Sequence, residues 1–147
     1  MIFHKMGLKE KIRREINRLS ITLMKIEAAK RIHEERRSKP FSELTLVTAL
    51  AHIPLFPEHL ETIYLNSAMG DLKKTLRFLK ELNKTISSKL EYSYILIKRK
   101  DIEEAISILS SIFSAKKISY MDLIDKVNSI KNLITEIYAM IRERERA

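Results

Sequence analysis

Apolar residues recur along the first quarter of the chain at the period of a helix. Ile12, Ile16, Leu19, Leu23 and Ile26 are spaced by 4, 3, 4 and 3. That is the heptad rhythm of a seam packed against a second helix, and it predicts a helix over 8–37. Ile21, Met24 and Ala28 extend the apolar face to one side. The pattern is interrupted at Ser38, Lys39 and Pro40, because a proline disfavours helix in the residue before it. A shorter apolar stretch, 41–53, continues the helix after a kink. Pro54 and Pro57 then make a firm turn, so the first helix and its tip occupy 8–57.

A second rhythm begins at once. Leu65, Met69, Leu72, Leu76, Leu79, Asn83, Ile86, Leu90, Ser93 and Ile97 alternate spacings of 4 and 3. Read as one element, they predict a helix over 58–100, roughly 60 Å long at 1.5 Å per residue. Asn83 and Ser93 stand as polar residues in that seam and favour one register. Two seams of similar period joined by a proline turn imply an antiparallel hairpin. Shorter helices follow over 101–147. Asp101 reads as a cap, or as a residue inside a helix that continues from the second. Ser119 with Asp122 resembles a capping box, and Ile118 before it fits a hydrophobic staple. The final face is Leu123, Val127, Ile130, Leu133, Ile134, Ile137 and Ile141, ahead of a charged, frayed end. The expected fold is all-α: one domain, a long antiparallel helical hairpin carrying shorter helices, with no strand.

Composition agrees with long helices. The 147 residues include 2 glycines and 3 prolines, too few for many tight turns. Cysteine is absent, which leaves no disulfide framework and no thiolate metal site. No apolar run reaches the roughly 18 residues of a membrane span, and the opening Met1, Ile2 and Phe3 meet charge too soon for a secretory signal. A cytoplasmic, peripherally membrane-associated protein is expected.

Charge changes the picture more. The net charge is +9, from 28 Lys and Arg against 19 Asp and Glu. It is concentrated in 1–39 and 65–100, whereas 101–147 is close to neutral. On the first helix Lys11, Arg14, Arg18 and Lys25 fall on one side, away from the apolar seam. On the second, Lys73, Arg77, Lys80 and Lys84 form a stripe at spacings 4, 3 and 4. Aligned cations attract phosphates of lipid headgroups or nucleic acid; a merely solubilising face is the other reading. Lys5 and Lys9 follow the apolar start, and Met1, Ile2 and Phe3 with them suit a small membrane-inserting element. Catalytic patterns are missing. Gly7 and Gly70 are isolated, so no loop cradles a phosphate. His4, His33, His52 and His59 lack metal-ligand spacing, and no serine sits in a nucleophile elbow. Neither enzyme activity, nor a cofactor, nor a metal is expected.

The order of elements resembles the ESCRT-III family, in particular its archaeal cell-division members. The run from Leu8 to Leu19 looks like the start of that family's first helix, and Lys25 to Arg36 like its continuation. Phe41 to Leu50 looks like the apolar tip. Tyr64 to Lys74 sits where the family has a Tyr-Ala-Asn-Glu-type run opening its second helix, and Ile106 to Ile137 covers the later short helices. The resemblance implies a subunit that polymerises on anionic membranes, with related subunits as partners, in constriction or scission. Two features depart from the family pattern: the turn between Pro54 and Pro57, and the lack of a proline-containing tail of the kind that recruits the disassembly ATPase. The rival expectation, from the same stripes, is a nucleic-acid-binding or virion-structural helical bundle. A plain bundle adaptor is a third.

Overall fold

The computed structural model describes residues 6–38 and 57–147. The expected tip, 41–53, and the N-terminal residues Met1, Ile2, Phe3 and Lys5 lie outside the described residues. The described chain forms α1 (Leu8–Ser38), α2 (Pro57–Ser88), a 3₁₀ helix (Leu90–Lys98), α3 (Arg99–Ser114) and α4 (Tyr120–Arg146).

Helix α1 packs against α2 on one side and α4 on the other, and α3 completes the square by packing on α2 and α4. Cross-helix contacts give the directions. Glu15 meets Thr75, Lys25 meets Asp71 and His33 meets Glu61, so α1 and α2 are antiparallel. Lys9 meets Glu145, and the His33 and Tyr120 rings lie 5.6 Å apart, so α4 also opposes α1. The result is an up-down-up-down four-helix bundle. Three helices meet towards the C-terminal end of α1, where Tyr120 donates a 2.6 Å hydrogen bond to Glu61, whose carboxylate also lies 3.3 Å from His33.

The hairpin is shorter than the heptad pattern implies. Helix α2 ends at Ser88, where Lys89 turns extended at φ −108° and ψ 119°. The continuous helix expected over 58–100 is therefore three pieces, and its first piece is roughly 48 Å long. Leu90, Ser93 and Ile97, expected in the seam, are all exposed. Instead Ile95 is fully buried, and Tyr92 and Tyr94 pack against the core. Neither glycine nor proline marks the bend. The Ser87 hydroxyl bonds back to the Asn83 carbonyl at 2.8 Å, and the Ser88 hydroxyl to that of Thr85 at 3.5 Å. Such side-chain bonds compete with the helical ladder, and burial of Ile95 in the closed bundle decides the outcome. Asp101 lies in the first turn of α3 and is not its cap; that helix is entered from Lys98 without a side-chain cap. Ser119 does cap α4, its Oγ accepting from the Asp122 N–H at 3.1 Å, and Ile118 packs on the core beside it.

The buried seam keeps Ile12, Leu19 and Ile26 of the expected stripe in α1 and Leu72, Leu79 and Ile86 in α2, but its alternate positions fall one residue earlier. In α1 the buried positions are Leu8, Ile12, Glu15, Leu19, Thr22, Ile26 and Ala29. In α2 they are Ala68, Leu72, Thr75, Leu79, Leu82 and Ile86. Ile16, Leu23, Leu65, Met69 and Leu76 flank this core half-buried. Ile21 and Met24, expected to widen the apolar face, point into solvent.

Candidate anion-binding face

Among the described residues three polar side chains reach the core, and all belong to the α1–α2 seam: Glu15, Thr22 and Thr75. Each is answered locally. The Thr75 hydroxyl donates to Glu15 Oε2 at 3.0 Å, and Arg18 closes a salt bridge on the other carboxylate oxygen. One turn further, Asp71 accepts from Lys25 Nζ at 2.8 Å, and the Thr22 hydroxyl lies 3.3 Å from the same oxygen. Burial pushes the Glu15 carboxyl above its ordinary pKa, the nearby Asp71 adds to this, and Arg18 and Thr75 only partly offset it.

These pairings divide the cations picked out in the sequence into two groups. Arg18 and Lys25 are held by acids inside the seam, and Lys9 reaches Glu145 of α4 at 2.8 Å. Their charge is largely spent within the bundle. Lys11 and Arg14 of α1, with Lys73, Arg77, Lys80 and Lys84 of α2, are exposed. Among the described residues none of these six forms a salt bridge. Lys5 and the apolar trio Met1, Ile2 and Phe3 fall outside the described residues.

Antiparallel pairing places the two free sets at one end of the hairpin. Lys11, Arg14 and Arg18 line a shallow groove of about 330 Å³ together with Lys74, Arg77 and Glu81. Lys74 is a site residue that the heptad reading passed over. It is exposed, without a salt bridge among the described residues, and one position from Lys73, which turns it by about 100° towards α1. Only the pairing of the two helices reveals it as a groove residue. Lys73, Lys80 and Lys84 stand on the opposite side of α2 from the buried Leu72, Thr75 and Leu79, so they face outward. From Lys73 to Lys84 the stripe covers roughly 16 Å of helix. The edge of the square opposite the α1–α2 groove is a different groove, between α3 and α4, lined by Asp101, Glu104 and Glu136.

Cations aligned at this density attract anionic groups such as phosphates. Phe78 is the one aromatic in the groove, which leaves no platform for stacking successive bases. Among the described residues no three His, Asp or Glu side chains converge as metal ligands, and no helix is long and apolar enough to cross a membrane. Fold and surface together define an all-α four-helix bundle with a cationic hairpin. No protein-family model matches the chain, and neither does any curated protein or solved structure.

Proposed function

We propose that this chain is a non-enzymatic, membrane-remodelling filament subunit of ESCRT-III type, acting in cell division or membrane scission, whose α1–α2 hairpin lies on anionic lipid. The observation that carries the reading is the set of exposed cations on the hairpin, Lys11, Arg14, Lys73, Lys74, Arg77, Lys80 and Lys84, none with an acidic partner among the described residues. Acidic headgroups attract such clusters at about 1 kcal/mol per Lys or Arg near the surface. Exposed Ile21 and Met24 on α1 and Ile63 on α2 offer apolar contacts to neighbouring subunits.

The test is co-sedimentation with neutral and with anionic liposomes, duplex DNA being added as competitor, and negative-stain microscopy of the pellet. Pelleting with anionic liposomes alone, with filaments or tubules that survive DNA, is the expected result. Transfer of the protein to DNA, leaving bare vesicles, would replace the membrane reading with a nucleic-acid-binding bundle.

A further inference from the structure

Nine consecutive residues in 3₁₀ geometry are unusual, since such runs rarely exceed three or four residues. The segment Leu90–Lys98 also carries the most exposed aliphatic side chains of the described chain. Leu90 is 89% exposed, Ile97 80% and Leu96 39%. With three residues per turn, Leu90, Ser93 and Leu96 stack in one row, and Ile97 stands beside its end. The opposite row, with Tyr92 and Ile95, holds the segment to the core. Basic residues bracket the apolar row: Lys84 and Lys89 precede it, and Arg99 and Lys100 follow it, all exposed.

We infer that the 3₁₀ segment is a second membrane-contact element, which lies in the plane of an anionic bilayer and inserts Leu90, Leu96 and Ile97 between headgroups held by Lys84, Lys89 and Lys100. This rests on the membrane reading and extends it to residues outside the hairpin. The arrangement has the parts of an interfacial element, an apolar row with cations at its margins. At about 2 Å rise per residue the nine residues span roughly 18 Å, so Leu90 and Ile97 reach the same depth only when the segment lies flat. A second copy of the chain fits the face less well. A two-fold contact places each patch against itself, which would set the lysines of one copy against those of the other.

The chain has no tryptophan, so a single introduced indole reports on its own position. Leu90→Trp, Ile97→Trp and, as a control on the exposed side of α4, Asn128→Trp are compared on vesicles of equal parts phosphatidylcholine and phosphatidylserine, with and without acyl-chain-brominated lipid. Emission should shift to the blue and be quenched by bromine at positions 90 and 97, and remain unchanged at 128. Protein that pellets with the vesicles while both probes stay unquenched overturns the inference and leaves the membrane reading standing. Failure of all variants and of the parent chain to pellet removes the membrane reading and the inference with it. A blue shift without vesicles that grows with protein concentration assigns the face to a second copy instead, and equally overturns the inference.

Discussion

Along the α1–α2 seam a glutamate and two threonines are folded into the core, whereas every buried position of α3 and α4 is aliphatic. The surfaces differ in the opposite sense. Around α3 and α4, Arg99 pairs with Glu103, Lys98 with Glu136 and Lys126 with Asp122. On the hairpin, Lys11, Arg14, Lys73, Lys74, Arg77, Lys80 and Lys84 form no salt bridge among the described residues, while Arg13 and Lys30 pair with Glu10 and Glu34. One half of the bundle thus spends its polar chemistry inside, on fixing how two helices face each other, and keeps free charge outside. The other half relies on apolar burial and carries nearly balanced numbers of acids and bases. Polar seam residues restrict register at a cost in stability, while aliphatic layers supply stability with little preference among neighbouring registers.

Removing an aliphatic layer should have the largest effect. Ile134→Ala on α4 deletes a fully buried side chain and should cost about 2–5 kcal/mol in chemical denaturation. A loss near 1 kcal/mol would mean that α4 is loosely packed and that the hairpin holds the fold alone. The seam should respond less. Thr75→Val keeps the shape but removes the hydroxyl that serves Glu15 at 3.0 Å, with an expected loss of about 1–3 kcal/mol for the buried acceptor left short of a donor. Substituting Lys73, Arg77, Lys80 and Lys84 together by Gln should leave stability within about 0.5 kcal/mol, as for other surface changes, while vesicle binding falls. A folding defect in that variant would show that the stripe is structural.

The same contrast explains what could be read from the residues alone. The α4 face and its Ser119 cap were legible because aliphatic periodicity and capping chemistry are local. In the α1–α2 seam the column of Ile12, Leu19, Ile26, Leu72, Leu79 and Ile86 was legible, but the alternate column was not, because Glu15, Thr22 and Thr75 occupy core positions that an apolar pattern counts as gaps. Lys25 looks like a surface cation until pairing brings Asp71 alongside, and Arg18 until pairing buries Glu15, its neighbour at i,i+3, beside Thr75. The bend at Lys89 was invisible for another reason: Leu90, Ser93 and Ile97 extend the heptad without a breaker, and only closure of the bundle, which buries Ile95, favours turning there.

A smaller gain sharpens the contrast from outside the core. Gly70 sits within α2, exposed, with no atom within 4 Å of an added Cβ. Gly70→Ala should stabilise the protein by about 1 kcal/mol through helix propensity. A loss instead would mean that this face of the hairpin closes against something in the folded protein.

The finest test concerns the sign of the charge inside the seam. Burial holds the Glu15 carboxyl above its ordinary pKa. An acid raised in this way supports the fold fully below the ordinary carboxylate range, and that support is lost as pH rises through its folded value. Glu15→Gln removes the titration, while the Gln carbonyl can still accept from Thr75. Arg18 keeps about a third of its side chain in water, 34%, so losing its partner is eased by hydration. The variant should therefore be slightly more stable than the parent at neutral pH, with the gap closing on acidification, when both side chains are neutral. Denaturation midpoints across a pH series would read this directly. A variant that is instead less stable at neutral pH and draws level in acid would show that Arg18 outweighs burial. The hairpin would then be held together by a charge pair and not merely registered by one.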